Sequence, residues 1–313
     1  MRRLAGLSIA AAGSYAGMRI YDLMPAMKSI FKNIALIGKY MNAESSEHIG
    51  VLAEFLANQQ FGVVLEEITA QQSLLSGYAV APIDQIGQQV DLAIVLGGDG
   101  TMLTAARAFV QHDIPLVGVN RGRFGFLTDL EAENMLEGIG RILSGEFDRE
   151  ERMLLTGSLQ RDGQMITRGY ALNDVVINKN GAAKLIELEV HIDGQFVHTQ
   201  RSDGLIIATP TGTTAYSLSA GGPILHPTLD AIALVPICPH TLSNRPIAIN
   251  GDSRVEVTLM RAEDACVHFD GQLHSSLLEG DKMIIRRAQE TITLLHPRGH
   301  SHFAMLREKL NWG

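Results

Sequence analysis

Gly97-Gly98-Asp99-Gly100-Thr101 places a single carboxylate inside a frame of glycines. Glycine lets the main chain come close to a phosphate, and a helix starting just beyond it presents free N–H groups to that phosphate. A carboxylate in the same crevice can align a hydroxyl and accept its proton. The other reading of this run is a tight strand-to-helix turn with Asp99 as an N-cap. The Gly-Lys-Ser/Thr ending of a Walker P-loop is absent.

A second constellation is Thr209-Pro-Thr-Gly-Thr-Thr-Ala-Tyr216, continued by Leu218-Ser-Ala-Gly-Gly-Pro223. Small hydroxyl residues around Gly212 suit a site where a planar base or a ribose lies against main chain. A polar surface loop is the plainer reading. Yet the run from Pro210 to Pro223 reaches the length, about 12–15 residues, beyond which loops without structure of their own are uncommon unless functional. Asn173-Asp174 is a third, weaker element, which alone reads more readily as a turn.

These residues need elements to carry them. Ile34-Ala-Leu-Ile-Gly, Phe61-Gly-Val-Val-Leu, Asp91 to Leu96 and Pro115 to Asn120 are short apolar runs of the kind that form buried parallel strands. Between them, Ser45 to Gln60 has Ile49, Leu52, Phe55 and Leu56 at helical spacing. Met102 to Val110 and Glu131 to Ser144 also read as helices. Strand–helix alternation predicts right-handed crossovers and a Rossmann-like parallel sheet, with the glycine loop at the carboxyl end of its third strand. Beyond Arg149 the texture changes. Leu154 to Leu159, Val175 to Asn178, Leu185 to Ile192, Gly204 to Thr209, Arg254 to Leu259 and Lys282 to Arg286 read as strands, several separated by Asp-Gly or Asn-Gly turns. That pattern predicts a mainly β, sandwich-like second domain. Phe303 to Leu310 is a short helix that returns to the first. The expected organisation is an α/β domain over 27–148, a β-rich domain over 149–290 and a returning segment over 291–313. Residues 1–26 form an extension outside the fold, and fold-like patterning starts at Ile34.

Composition limits the partners. Hydrophobic residues make up 46% of the chain and charged residues 19%, enough apolar material for a substantial core. The net charge of −8, with no run of Lys or Arg, argues against nucleic acid. No segment has the length and hydrophobicity to span a membrane, and none reads as a basic amphipathic helix for docking on one. Cys238 and Cys266 lack any metal-ligand spacing, and the eleven histidines are scattered without HExxH or a His/Cys cluster. No protein-borne metal site is expected from spacing alone.

Taken together, the motifs resemble the NAD kinase family of bacterial type. Gly97 to Thr101 is similar to its GGDGT loop, Asn173-Asp174 to its Asn-Asp/Glu pair, and Thr209 to Tyr216 to its TPTGSTAY segment, with threonine at Thr213. Pro239 to Ile247 is similar to H-x-L-S-x-R-P-I, and Phe269-Asp-Gly-Gln272 to FDGQ. The resemblance implies phosphorylation of the 2′-hydroxyl of the adenosine ribose of NAD, giving NADP and ADP. Asp99 would orient and deprotonate that hydroxyl beside Gly100, and Asn173 and Asp174 would hold the ribose. Arg201 and Asp203 would frame the pocket, Thr214, Ala215, Tyr216, Ser217, Leu218 and Ser219 would line it, and Gln272 would close it. Lys184 matches a basic position of the family, and Phe126 would pack against a base. The resemblance also implies ATP as donor, a magnesium ion to neutralise its phosphates, a homotetramer and a cytoplasmic setting. A diacylglycerol- or sphingosine-type lipid kinase shares a GGDGT loop, and a non-catalytic NAD or NADP sensor is the reading from a different class.

Overall fold

The computed structural model describes residues 29–38, 43–120, 125–181, 183–241 and 243–312, so the extension expected over 1–26 lies outside the described residues. The first apolar run is β1 (Asn33–Gly38), followed by α1 (Ala43–Asn58), β2 (Gly62–Glu66), α2 (Glu67–Ser73) and β3 (Ala79–Ala81). Then come β4 (Leu92–Leu96), α3 (Asp99–Phe109), β5 (Leu116–Asn120), the short β6 (Leu130–Glu131) and α4 (Met135–Leu143). The strand order β5-β4-β1-β2-β3 is parallel throughout. Every residue of β4 is buried. Leu92, Ile94 and Leu96 pack with α1 and α4 on one face, while Ala93 and Val95 pack with α3 on the other. Such two-faced burial is why these strands read as unbroken apolar runs. The helix expected over Glu131 to Ser144 is shorter than its pattern, because 132–134 form a single 3₁₀ turn before α4 begins.

The second half begins with β7 (Phe147–Arg161), β8 (Gln164–Ala171), β9 (Asp174–Lys179), β10 (Ile186–Ile192), β11 (Gln195–Ser202) and β12 (Gly204–Ala208). The run from Pro210 is not bare loop: Thr211–Thr214 is a 3₁₀ turn and α5 (Tyr216–Ser219) a single helical turn. The chain continues through β13 (Ala231–Ile237), β14 (Ile247–Asn250), β15 (Val255–Arg261), β16 (Ala265–Phe269), β17 (Leu273–Leu277), β18 (Lys282–Pro297) and α6 (His302–Leu310). A six-stranded antiparallel sheet, β14-β13-β12-β9-β16-β17, packs on β7, β10, β15 and β18 through an aliphatic core that includes Leu155, Val175, Leu188, Leu205, Val257 and Ile285. This is a sandwich beside a parallel sheet, the two-part architecture expected.

One strand joins the halves. β18 runs past the predicted Lys282 to Arg286, through Arg287 to Glu290, to Pro297. Its start pairs with β15, its whole length with β7, and Leu294 pairs in parallel with Leu116 of β5. The ladder with β7 shifts register between Arg287 and Thr291. A bulge there bends the strand, and the polar residues of the bulge interrupt its apolar alternation, which hides its full length from pattern reading.

Candidate active site

Asp99 stands where β4 gives way to α3. The N-cap is Gly98, and Asp99 is the first helical residue, so the N-cap reading is corrected. Its carboxylate turns to a different loop: Oδ2 accepts the Phe126 N–H at 2.9 Å and Oδ1 the Leu127 N–H at 3.0 Å. A Cβ on Gly125 would run into that carboxylate, so this loop needs glycine where it passes Asp99. Thr128 anchors the loop in turn by accepting the Gly125 N–H at 3.1 Å. Main chain therefore sets the orientation of Asp99.

The helix that starts at Asp99 is bolted to the β-rich half. Gln272 Nε2 donates to the Gly100 carbonyl at 2.7 Å, and the Thr104 hydroxyl lies 2.7 Å from Gln272 Oε1. Arg107 donates to Gln272 Oε1 and, at 2.6 Å, to Asp270 Oδ2. Asp270 also accepts three N–H groups, from Leu172 at 3.1 Å, Asn173 at 2.7 Å and Asp174 at 3.2 Å. Asp270 and Gly271 both adopt left-handed φ, +51° and +64°, which turns the chain sharply enough to bring the carboxylate back over Asn173-Asp174. Burial pushes the Asp270 carboxyl up, against the opposing pull of Arg107 and the N–H groups. Burial, and then the nearby Asp270 charge, raises Asp174 to about 7.

The threonines of the 209–214 run build the wall behind this pair. Thr209 Oγ1 donates to the Leu172 carbonyl at 2.6 Å and accepts the Gly212 N–H at 3.1 Å. Thr213 Oγ1 donates to Pro210 and accepts from Leu225. A Cβ on Gly212 would collide with the Asn173 carbonyl, so the close approach of these two segments requires glycine. In front lies a cleft of ≈ 350 Å³ lined by residues that include Asn173, Asp174, Asn178, Tyr216, His268 and Gly271. Asn173 Oδ1 is buried and has no hydrogen-bond partner among the described residues.

Comparison with known proteins decides what this site belongs to. A family model of the ATP-NAD kinase N-terminal domain matches residues 34–147, and one of the ATP-NAD kinase C-terminal domain matches 172–296. The chain belongs to the NAD kinase family. The NAD kinase of Thiobacillus denitrificans is 50% identical, covering 92% of this chain and 99% of that one. That of Nitrosomonas europaea is 51% identical, covering 91% and 96%. Among solved structures, an NAD kinase from Archaeoglobus fulgidus in complex with ATP is similar, with TM-score 0.71, 26% identity, and 89% and 98% of the chains covered. A yeast NADH kinase complexed with NADH shares the fold, with TM-score 0.84, 23% identity, and 90% and 88% covered. The protein is a phosphotransferase that phosphorylates NAD. The lipid-kinase and sensor readings have no counterpart in these matches. Among the described residues no helix is long and apolar enough to cross a membrane.

The residues that the family motifs single out do not all share one place. Asn173, Asp174, Ala215 and Tyr216 line the cleft, and Gly100 reaches it through Gln272, next to Gly271. Tyr216 is 46% exposed at the rim. Ser217 is buried, its hydroxyl without a hydrogen-bond partner among the described residues, Leu218 is half-buried and Ser219 exposed. Phe126 and Thr214 line a smaller recess with Arg152, Pro227, His302 and Met305. Asp203 pairs with Lys179 at 2.9 Å, Arg201 is exposed, and Lys184 pairs with Glu263 on the surface, away from the cleft lining. Motif reading passed over Arg107 and gave Asp270 no role, although the FDGQ run contains it. It also missed Asn178 and His268. Alternation along β9 was the available signal for Asn178, two residues beyond Val176 and four beyond Asp174 on the same face.

Proposed function

We propose that the cleft holds the adenosine ribose of NAD, with Asn173 and Asp174 on its hydroxyls and Asp99 aligning the 2′-hydroxyl for attack on the terminal phosphate of ATP. The observation that carries this reading is the clamping of Asp99 by the Phe126 and Leu127 N–H groups. A carboxylate held by main chain cannot swing away, and phosphoryl transfer depends more on positioning and charge neutralisation than on covalent chemistry. An ordinary Asp, with a pKa of about 3.9, is a weak base at neutral pH. Asp99 therefore aligns the hydroxyl and takes its proton late, while the Gly98, Asp99 and Gly100 N–H groups at the start of α3 face the phosphates. The orphaned Asn173 Oδ1 and the buried Asp174 supply acceptors for ribose hydroxyls. The exposed Tyr216 ring offers a face on which a base can stack. Arg201 and Asp203 border the nicotinamide side, Thr214 to Ser219 support the dinucleotide, and Gln272 ties the glycine loop to the cleft.

Each Asp99 oxygen accepts one N–H and keeps a lone pair, an oxygen-only donor set of the type that suits magnesium when phosphates and water complete its shell. When bound, that ion would neutralise charge on the β- and γ-phosphates. A homotetramer in the cytoplasm belongs to the same proposal. The test is turnover with ATP, magnesium and NAD, scored by a dehydrogenase that accepts only NADP. Signal lost in Asp99→Asn supports the assignment, and a variant as active as wild type removes Asp99 from the mechanism.

A further inference from the structure

One wall of the cleft carries a thiol–imidazole pair that lies outside the family motifs. Cys266 and His268 stand two apart on β16, hence on one face, opposite Asn178 and Val176 of β9. His268 lines the cleft, and Cys266 beside it is buried. Cys266 Sγ lies 3.0 Å from His268 Nε2, against 3.6 Å and 3.8 Å to the side-chain and main-chain oxygens of Asn178. Burial, and then Asp264, pushes the thiol up, while burial, and then His274 on β17, pushes the imidazole down. Thiol and imidazole are accordingly both neutral near pH 7.

A neutral imidazole has one N–H and one lone pair, and the partner of one nitrogen decides which is which. Sulfur is a weak acceptor, so the short contact is S–H donating to Nε2 rather than Nε2–H donating to sulfur. Nδ1 then carries the ring hydrogen. The two ring nitrogens point in nearly opposite directions. With Nε2 turned back to Cys266, Nδ1–H points the other way along β16, toward Asp270, whose N–H is bonded to the Asp174 carbonyl. Among the described residues Nδ1 has no hydrogen-bond partner.

That end of the cleft is rich in acceptors and poor in donors. Asn173 Oδ1 and the Asp174 carboxyl await hydroxyls, and no lining residue is lysine or arginine. A dinucleotide also brings oxygens that need a donor, on its ribose and on its pyrophosphate. We propose that His268 binds NAD by donating Nδ1–H to an oxygen of the adenosine ribose or the adjoining pyrophosphate, and that Cys266 is the positioning residue that holds this tautomer. The contact rests on the reading of the cleft as the NAD site, whereas the thiol–imidazole pair does not.

The tautomer is read by nitrogen-15 NMR of the His268 ring in ligand-free, full-length protein. The wild type should show a protonated Nδ1 and a bare Nε2. Cys266→Ala should move the ring toward the Nε2–H form that free histidine prefers. Cys266→Ser, which keeps a hydroxyl donor, should restore most of the wild-type signal. A wild-type ring with its hydrogen on Nε2, or a ring unmoved by Cys266→Ala, overturns the pair. Kinetics test the contact, on variants checked for fold by circular dichroism. His268→Ala removes one neutral hydrogen bond and should raise the KM for NAD about 3–10-fold, with a smaller effect on kcat and none on the KM for ATP. Cys266→Ala should raise it less, and Cys266→Ser should bring it back. Adenosine as a competing ligand locates the oxygen: weakened along with NAD in His268→Ala, it places the contact on the ribose, and unweakened, on the pyrophosphate. A KM for NAD unchanged in His268→Ala but raised in Asp174→Asn at pH 8 overturns the contact alone. A KM unchanged in both variants means that NAD does not lie in this cleft, and the contact falls with that reading.

Discussion

Two Asp-Gly turns, one in each half of the molecule, use the same local chemistry for opposite ends. Asp99-Gly100 follows the buried strand β4, and Asp270-Gly271 follows β16. Each carboxylate reaches across to another loop and accepts its main-chain N–H groups, two for Asp99 and three for Asp270. Burial and counter-charge separate them. The Asp270 side chain is fully buried against Arg107, whereas Asp99 is half-buried with no cationic hydrogen-bond partner among the described residues. A carboxylate with every oxygen committed is architecture, and one left with free lone pairs at a glycine loop is available to a substrate.

The sharpest way to break this comparison is to remove each acid in turn. Asp99→Asn should cut turnover by about 10²–10⁴-fold and cost only about 1–2 kcal/mol of stability, the loss of one of its two main-chain hydrogen bonds. Asp270→Ala strands a buried arginine and should cost about 3–5 kcal/mol of stability in denaturant unfolding. If the two variants gave one common profile, the division between reacting and supporting acid would be wrong.

A smaller effect is expected at Gly212, where alanine must push the Asn173 carbonyl aside, at a cost of about 1–3 kcal/mol of strain. Because the strain falls on the residue proposed to hold ribose, the KM for NAD should rise more than kcat falls. The reverse split would argue against that placement.

Asp174 tests the same half through pH. Its folded pKa of about 7 lies above an unfolded value of about 3.9. Its contribution to stability is therefore complete below pH ~4 and is lost as pH rises toward 7. His302, pulled down to about 4 chiefly by burial, works in the opposite direction over much of that range. The measurement is accordingly the difference between wild type and Asp174→Asn at pH 5 and pH 7.5, which should shift in favour of the variant at the higher pH. A constant difference would mean that Asp174 does not titrate there. Ribose hydroxyls donating to this acid favour its charged form, so NAD affinity should rise from pH 6 to 8 in the wild type and stay flat in the variant. The smallest effect is expected at Lys184, which is 83% exposed in its pair with Glu263. Lys184→Ala should change stability by less than about 1 kcal/mol and leave the KM for NAD as it was.

Legibility followed the same physics. Strands β1, β4 and β5 were readable because burial on both faces confines polar residues to their ends, Asn33 in β1 and Asn120 in β5. The later part of β18 was not, because Arg286 to Glu290 carries a bulge in which polar residues replace the alternation. In the site, Asp99, Asn173-Asp174 and the Thr209 to Tyr216 run were visible as motifs. That the threonines mainly brace main chain was invisible, since a hydroxyl that binds ligand and one that binds a carbonyl have the same letter. Arg107 looked like an ordinary helix residue, and its importance depends on Asp270, which lies far along the chain but 2.6 Å away in space.

Local information therefore determined the family motifs, the parallel sheet and the change to a β-rich half, because periodicity, glycine and turn chemistry act between residues close in sequence. The partner of each acid was settled only by tertiary structure. The 125–127 loop comes to Asp99, the 172–174 segment to Asp270, and His296 with His300 to Asp129. Those meetings depend on how β18 links the antiparallel and parallel parts of one continuous sheet and on the pairing of β9 with β16, long-range contacts that no window of neighbouring residues contains.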